Sequence, residues 1–166
     1  IILLIVNTAH CTTVVSSKFS FFFSTDCDDR FGPLPINAHV GGCVNPPCQL
    51  PQLQDAIISL IFKAPHVIYS MTTLARANLG GLNIDYPLGE HAITCNFLEN
   101  TYCPIIKDEV LVYTLRFYIL QIFPQGTSVT VDFRVVDHNE EPLACIRVPI
   151  QITSPAGRSD NATSII

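Results

Sequence analysis

The sequence lacks tryptophan, has few charged residues and contains no cluster of basic ones. Only 14% of its 166 residues are charged, the net charge is −5, and the nine Lys and Arg residues are scattered along the chain. A chain without a basic patch has no surface suited to neutralising the phosphates of a nucleic acid. Beyond the apolar run at the N-terminus, no segment approaches the ~20 apolar residues that a membrane-spanning helix needs. Nucleic-acid binding and a helical membrane anchor are therefore not expected.

What the sequence does contain is enough apolar residues for one substantial core. Hydrophobic residues make up 48% of the chain, and a domain of this length buries ~70% of the surface that its unfolded chain exposes. No internal repeat or low-complexity tract divides the chain, so we expect one domain over residues 18–153. Residues 154–166 are expected to form a flexible tail that carries a glycosylation sequon at Asn161.

The N-terminal residues have the character of an export signal. The apolar run Ile1–Val6 precedes a stretch of small and polar residues, which is the order of segments in a secretory signal. We expect residues 1–17 to be the later part of such a signal, with cleavage after Ala9, Ser16 or Ser17, of which the last two are favoured. The alternative is a buried N-terminal strand. A cleaved signal predicts a soluble, exported protein.

The expected export of the protein determines how its seven cysteines are interpreted. Removal of the signal also removes Cys11, and the six that remain would be in an oxidising environment, where cysteines pair. Six cysteines allow fifteen pairings. Proximity favours Cys43–Cys48 and Cys95–Cys103, which leaves Cys27–Cys145 to join the ends of the domain, and the other pairings remain open. The stretch GGCVNPPCQLPQ has neither the spacing of a zinc knuckle nor the two-residue gap of a thioredoxin-type motif, so a small covalent ring is favoured there.

No set of residues in the chain predicts catalysis or a metal site. The histidines lack metal-ligand spacing and are expected to be solvated or to cap turns: His10, His39, His66, His91 and His138. A Cys–His nucleophile needs a free thiol, and the unpaired Cys11 lies in the segment expected to be removed. Glu140-Glu141 lies in a predicted turn and is expected to be solvated, and Gly80-Gly81 lacks a phosphate-loop context. We therefore expect no enzymatic activity and no metal.

Alternating apolar residues predict β-strands along the body of the chain. From 111 to 123 the pattern places one apolar set on a single face, namely Leu111, Tyr113, Leu115, Phe117, Ile119 and Phe123. Alternation is clean over 129–135 and 146–152, and a proline in the second segment suggests an edge position or a bulge. Weaker strand candidates lie at 56–62 and 65–71. Turn residues separate these segments at a spacing typical of an all-β, antiparallel sandwich.

Short motifs around the cysteines resemble the ML (lipid-recognition) domain family. They are Asp26-Cys27, Cys43 with Pro47-Cys48-Gln49-Leu50, Cys103-Pro104-Ile105-x-Lys107-Asp108, and Cys145-x-x-x-Pro149-Ile150-Gln151-Ile152. The cysteine spacing in this order is specific, and the similarity runs from Thr25 to Thr153. It is greatest for the sterol-transfer members of the family and next for the mite group 2 allergens. The resemblance implies three disulfides, Cys27–Cys145, Cys43–Cys48 and Cys95–Cys103.

The resemblance also implies a site. Members of the family are immunoglobulin-like β-sandwiches that hold a lipid in a cavity between their two sheets. Cavity-lining positions of the family match Tyr86 before Pro87, Ile119, and Phe123 before Pro124, although Phe123 replaces a tyrosine. The full set of expected lipid contacts adds inward residues of the predicted strands: Tyr86, Tyr113, Phe117, Ile119, Phe123, Pro124, Val131 and Phe133.

The function implied by the resemblance is that of a lipid carrier. We expect the protein to bind a sterol and transfer it between membranes as a monomer, with no cofactor besides the bound lipid. Its expected partners are the lipid, a membrane in brief contact, and a membrane sterol transporter, and its expected location is outside the cell or in the lysosome lumen. The alternative is a secreted recognition module for fatty acids, phospholipids or small hydrophobic semiochemicals, serving chemosensation or innate immunity.

Overall fold

The computed structural model describes Cys27 and residues 32–155. This part of the chain contains eight strands: β1 (Asn37–Val40), β2 (Cys48–Pro51), β3 (Asp55–Lys63), β4 (Met71–Leu79), β5 (Leu82–Tyr86), β6 (Val110–Tyr118), β7 (Ser128–Asp137) and β8 (Pro142–Thr153). Two short 3-10 helices, Gly89–Ala92 and Thr94–Phe97, lie between β5 and β6. Within the described residues, no helix is long and apolar enough to cross a membrane. The predicted signal, Cys11 and the Asn161 sequon lie outside the described residues.

The strands form two sheets that enclose one apolar core. One sheet has the order β1-β3-β6, and the other has the order β2-β8-β7-β4-β5, so that β5 is an edge strand paired with β4. Neighbouring strands are antiparallel except β2 and β8, which pair in parallel. The predicted all-β, immunoglobulin-like sandwich is confirmed, with this parallel pair as a departure from a purely antiparallel arrangement.

The alternation along β3 and β6 explains how these strands bury one face. Successive side chains of a strand point to opposite sides of the sheet, so every second residue faces the core. The paired strands place Phe62 opposite Leu111 and Leu60 opposite Tyr113, and all four residues are buried. The outward neighbours along both strands are partly buried or exposed. The same rule produces the inner faces of β7 and β8.

The prediction of a strand over 65–71 is wrong. Residues 64–70 form a loop between β3 and β4, held to another loop by reciprocal backbone hydrogen bonds between Ile68 and Ile105, with N···O distances of 3.0 and 2.8 Å, and Met71 is the first residue of β4. Pro65 has no N–H to donate to a neighbouring strand, which disfavours strand pairing at this position. The strand predicted over 111–123 is also too long, since β6 ends at Tyr118 and the chain continues as a loop to β7.

The prediction placed the proline of β8 at an edge position or a bulge; β8 is an interior strand of its sheet, and Pro149 lies where this strand has a neighbour on one side only. Pro149 pairs with Thr130 of β7 on one side, whereas β2 joins the other side of β8 only from Ile150 onward. The N–H that proline lacks is therefore not required by a second neighbouring strand at that position. A register shift does occur between β7 and β8, but it lies at Val135/Val136.

Three disulfides link the described residues. Cys43–Cys48 closes the short loop before β2, and Cys95–Cys103 closes the segment between the second 3-10 helix and β6. Cys27 pairs with Cys145 in β8, and the two are separated by 118 positions. Closing so long a loop contributes about 4–5 kcal/mol in the chain-entropy model, which is an upper figure for real bridges. These are the pairs that the family resemblance implied.

Candidate functional site

A cavity of about 260 Å³ lies between the two sheets at one end of the sandwich. We call this end the open end. The cavity is bounded by β4 and β5 on one side, the ends of β2 and β8 and the start of β7 on another, and the end of β6 with the following loop on the third. Seven of the eight residues predicted to contact lipid line it: Tyr86, Phe117, Ile119, Phe123, Pro124, Val131 and Phe133.

Small residues on β4 leave the space that the cavity occupies. Ala75 and Ala77 face inward and are flanked in the sheet by larger partners, with Phe133 beside Ala75 and Val131 beside Ala77 on β7. A methyl group at an inward position cannot fill the distance of ≈ 10 Å that separates two packed sheets. The sequence ARA at 75–77, with its two inward alanines, therefore provides a thin wall at the place where the other strands carry bulky side chains.

Aromatic rings form the side of the cavity nearest to β6. The ring of Tyr86 lies 5.8 Å from that of Phe123 and 6.3 Å from that of Phe117, centroid to centroid, and Phe117 lies 5.4 Å from Phe133. The Tyr86 hydroxyl donates a hydrogen bond to the Tyr118 carbonyl oxygen at 3.2 Å, which joins β5 of one sheet to β6 of the other. Burial raises the pKa of Tyr86, so its hydroxyl remains a neutral donor at physiological pH.

The loop between β6 and β7 is held in place by a buried amide. Gln52 is only 4% exposed, and its Nε2 donates to the carbonyl oxygens of Phe123 and Gln121. Its Oε1 accepts a hydrogen bond from Gln125 Nε2 at 3.1 Å. The loop carries Phe123 and Pro124, so Gln52 fixes the cavity wall from behind. Sequence patterns do not reveal this role of Gln52, because its partners are about seventy positions away.

The cavity is suited to hydrocarbon. Of the described residues that line it, only Tyr86 and Thr127 have polar side chains, and none is charged. What it can do is remove an apolar molecule from water, which is favourable by roughly 25 cal/mol per Å² of apolar surface.

Apolar side chains surround the opening of the cavity. Leu79 and Ile84 line the cavity and are still 45% and 46% exposed, and Leu82 next to them is 61% exposed. The loop after β6, which contributes Ile119 and Phe123 to the lining, also exposes Leu120 and Ile122, the second of them to 79%. Exposed apolar patches mark sites of interaction with a ligand, a partner or a membrane.

Tyr113 does not line the cavity, contrary to the prediction. Its side chain is fully buried in the opposite part of the core, which we call the closed end. Its hydroxyl lies 2.7 Å from Thr73 Oγ1, which in turn lies 2.7 Å from Thr94 Oγ1. Burial raises the pKa of Tyr113 to about 12 even though both threonines hydrogen-bond to it. Tyr113 shares a face with Phe117, but it lies four residues nearer the start of β6 and therefore deeper in the core.

Several lining residues were not predicted from the sequence. They are Leu50, Ala75, Ala77, Leu79, Ile84, Thr127, Val129, Ile150 and Ile152. The period-two pattern over 71–79 could have revealed β4, but alanine, asparagine and arginine are weak strand formers and obscured it. Val129, Ile150 and Ile152 were predicted to face the core, yet nothing in their own segments indicates which end of the core is hollow.

Comparisons with known proteins agree with this architecture. The family model of the ML domain matches residues 23–152. The mouse protein named NPC intracellular cholesterol transporter 2 is 28% identical over 141 residues, which cover 85% of this chain and 91% of the mouse protein. The pig protein of the same name is 25% identical over 130 residues, covering 78% and 83%.

A solved structure shares the fold at low sequence identity. It is the crystal structure of a Niemann-Pick type C2 protein from the Japanese carpenter ant, with a TM-score of 0.65 and 17% identity over 78% of this chain and 98% of that one. At this identity the likeness shows the fold alone. The family model, however, spans most of the sequence and includes the six paired cysteines. The chain is therefore a member of the ML domain family.

Proposed function

We propose that the protein is a carrier that holds a lipid between its two sheets, and that this lipid is a sterol, which it transfers between membranes. The observation that carries the proposal is the uncharged cavity at the open end, which is lined by Tyr86, Ile119 and Phe123. Family membership and the mouse and pig relatives that are named as cholesterol transporters support it. No catalytic step and no cofactor are part of the proposal.

The chemistry of a sterol matches such a cavity. A sterol is apolar over nearly its whole surface and has one hydroxyl group. Burying ~500 Å² of that surface would contribute over 10 kcal/mol gross at ~25 cal/mol per Å², from which the costs of association are subtracted. Among the lining side chains, Tyr86 and Thr127 carry hydroxyl groups that could form a hydrogen bond with the sterol hydroxyl. An affinity of this origin depends on shape and area more than on specific polar contacts.

The size of the cavity sets a requirement on the protein. Its volume of about 260 Å³ is slightly below the ~300–1,000 Å³ of typical ligand pockets. Sterol binding therefore requires the walls to move apart. The wall formed by β5 is the one best able to move, since β5 is an edge strand and its residues Leu82–Asp85 are exposed.

The exposed apolar rim supports brief contact with membranes. Leu79 and Ile84 line the cavity and are exposed, and Ile122 is exposed on the loop that carries Phe123. We infer that the opening docks on a bilayer or on a membrane sterol transporter, and that the protein acts as a monomer outside the cell or in the lysosome lumen. Transfer of a fluorescent sterol between vesicles measures this step. A rate proportional to acceptor vesicle concentration supports docking, whereas a rate independent of acceptor concentration would contradict it.

The bound lipid itself is the direct test of the proposal. The protein is purified under native conditions from a sterol-containing expression host, and its lipids are extracted and identified by mass spectrometry. We expect approximately one sterol molecule per protein chain. Recovery of a fatty acid or phospholipid in that amount would show that the protein carries that lipid and not a sterol. Absence of any lipid would overturn both the sterol ligand and the carrier function.

The substitution Ile119→Phe separates a lipid cavity from ordinary core packing. Ile119 is 4% exposed and lines the cavity, so a larger ring there should occupy ligand space. We expect sterol titration to show at least a tenfold loss of affinity, while the delipidated variant melts within a few degrees of wild type. In a close-packed core the same change would instead cost ~1–3 kcal/mol of stability. Lost stability with unchanged affinity would therefore overturn the assignment.

A matched control tests whether the effect depends on the position of the substitution or only on the added ring. Ile61 lies on β3 opposite Val112, at one of the partly buried positions that alternate with the inward set. Ile61→Phe adds the same ring away from the cavity, so its sterol affinity should equal that of wild type.

The small volume also favours a second candidate ligand. A cavity of about 260 Å³ would hold a slender molecule, such as a fatty acid or a small volatile hydrophobe, with less wall movement than a sterol. The protein would then serve as a secreted recognition module in chemosensation or innate immunity. Competition between a fluorescent sterol and a fatty acid decides between them, since the ligand that displaces the other at lower concentration is the better fit.

A further inference from the structure

A group of possible metal ligands lies at the closed end, away from the cavity. His66 is on the loop between β3 and β4, Asp137 ends β7, and Glu141 immediately precedes β8. One ligand atom from each of the three residues lies within 4.8 Å of the others. β7 begins with Ser128 near the cavity and is ten residues long, so its two ends are about 30 Å apart. This group is therefore independent of the lipid site.

Asp137 is oriented as a ligand would be. Its side chain is 0% exposed, and its Oδ1 accepts the backbone N–H groups of Asn139 and Glu141, both at 2.8 Å. These bonds fix the carboxylate in the turn and direct Oδ2 to His66, whose Nε2 lies 2.8 Å away.

The donor set identifies the class of ion. An imidazole nitrogen with carboxylate oxygens suits first-row dications such as Zn²⁺, whereas Ca²⁺ and Mg²⁺ prefer oxygen ligands alone. Zn²⁺ binds such atoms at ~2.0–2.2 Å, which places tetrahedral ligands roughly 3.3 Å from one another. The present separations, from 2.8 to at most 4.8 Å, would need to change by about 0.5 to 1.5 Å to reach that geometry. Glu141 is exposed and can make this adjustment.

We propose that His66, Asp137 and Glu141 form a binding site for a first-row divalent cation, with Zn²⁺ as the ion tested. His66 binds through Nε2, Asp137 through Oδ2 and Glu141 through one carboxylate oxygen. The fourth position is filled by water or by His138, whose Nδ1 is 3.9 Å from Asp137 Oδ2. The turn N–H groups that hold Asp137 Oδ1 supply the supporting hydrogen bonds that ordered metal sites have.

The ordinary alternative is that His66 and Asp137 form only a hydrogen bond that fastens a loop to a turn. Both roles stabilise the loop, so stability alone does not separate them. A direct measurement of metal binding separates the two roles. A hydrogen-bonded pair without a third ligand is not expected to bind Zn²⁺ more tightly than Ca²⁺. Glu141 distinguishes the two as well, since the hydrogen bond between His66 and Asp137 does not involve its side chain.

The experiment is calorimetric titration of the full, disulfide-bonded protein with ZnCl₂ and, separately, with CaCl₂ in a non-chelating buffer at neutral pH. We expect one Zn²⁺ per chain with an affinity in the micromolar range or tighter, and at least tenfold weaker binding of Ca²⁺. Titration with Co²⁺ should give the visible absorption bands of a tetrahedral or five-coordinate site. Absence of saturable Zn²⁺ binding, or equal affinity for Ca²⁺, would overturn the proposal.

Single substitutions assign the ligands. His66→Gln and Glu141→Gln should each weaken Zn²⁺ binding ~10–100-fold or more. His39→Gln is the matched control, because His39 is an exposed histidine on β1 of the other sheet, and it should bind as wild type does. Glu141→Gln keeps the test valid if His66→Gln unfolds, since the Glu141 side chain is exposed. Unchanged Zn²⁺ affinity in Glu141→Gln, or equal loss in His39→Gln, would contradict the assignment.

Discussion

The two ends of the sandwich have the same alternating strand pattern and opposite interiors. At the closed end, large side chains fill the space between the sheets, and Phe62, Ile68, Met71, Ile105 and Leu111 are each at most 2% exposed. At the open end, two inward residues of β4 are the alanines Ala75 and Ala77, and the space between the sheets is a cavity. Alternation therefore decides which face of a strand is buried, whereas side-chain volume decides whether the buried space is filled.

The ends also differ in what covers them. Over the closed end lie the loop from 64 to 70, both 3-10 helices and the Cys95–Cys103 disulfide, and the hydroxyls of Thr73, Thr94 and Tyr113 bond to one another beneath them. The open end is covered mainly by the loop after β6, which Gln52 holds in place. A region covered by one loop is expected to open at lower free energy than one covered by several linked segments.

The largest expected effect is at the closed end. Phe62→Ala removes a ring that is 2% exposed, so we expect the free energy of unfolding to fall by about 3–5 kcal/mol. Lipid affinity of the molecules that remain folded should be unchanged, because Phe62 is remote from the cavity. Denaturant unfolding and lipid titration of the same variant test both statements. A loss below about 1 kcal/mol would show that the closed end is not tightly packed.

A smaller effect is expected at the support of the open end. Gln52→Ala leaves the carbonyl oxygens of Phe123 and Gln121 without their donor, which should cost about 1–3 kcal/mol. The loosened loop should also release lipid faster, as measured by stopped-flow fluorescence. Gln54→Ala is the control, since Gln54 is exposed and close in sequence, and it should match wild type in both measurements. Equal effects of the two substitutions would remove the special role of Gln52.

The hydroxyl cluster of the closed end provides a prediction about pH. Tyr113→Phe removes a neutral hydrogen bond and should lower stability at pH 7 by about 1 kcal/mol. Since burial raises the pKa of Tyr113 to about 12, while an unfolded tyrosine ionises near ~10, wild type loses stability as pH rises between these values. The phenylalanine variant lacks this loss, so the difference between the two proteins should narrow above pH ~10.

The control for this prediction is Tyr69→Phe, because Tyr69 is 67% exposed. Its stability should follow that of wild type from neutral to alkaline pH. A constant difference between wild type and Tyr113→Phe over the whole range would mean that Tyr113 ionises as an exposed tyrosine does.

The smallest effect on stability is expected where the interior is hollow. Ala77→Leu adds a side chain at the wall of the cavity, so the free energy of unfolding should change by less than about 1 kcal/mol, whereas overpacking a filled core costs ~1–3 kcal/mol. Lipid affinity should fall because ligand space is lost. Thermal unfolding and lipid titration of the delipidated variant provide the comparison. A stability loss of ~2 kcal/mol or more with unchanged affinity would show that the open end is packed like the closed one.

Clear alternation predicted β7 and β8, β3 was a weaker strand candidate, and β4 and β5 were missed. The segments at 56–62, 129–135 and 146–152 lie within β3, β7 and β8. β4 and β5 were missed because Ala, Asn and Asp are uncommon in strands. These residues are nevertheless in strands here because β4 pairs with both β5 and β7. Local pattern is thus a good guide only where each strand carries its own apolar face.

The site was predicted less completely, and the reason is physical. Tyr86, Ile119 and Phe123 were identified through the family resemblance, and they line the cavity. Tyr113 was assigned there wrongly, since alternation gives the face of a residue and not its depth along the sandwich. Gln52 and the His66–Asp137 pair depend on contacts between residues about seventy positions apart. No spacing rule along the chain reports such contacts.

The edge position of β5 has a consequence for ligand choice. β5 pairs only with β4, and its link across to the other sheet is the hydrogen bond from Tyr86 to the Tyr118 carbonyl oxygen. If the wall at β5 yields to accommodate a ligand, each ligand bears a deformation cost that grows with its girth. Selectivity would then come from the energy needed to displace β5 and not from a cavity of fixed shape. Affinity should therefore decline gradually through a series of increasingly bulky lipids, without an abrupt cut-off.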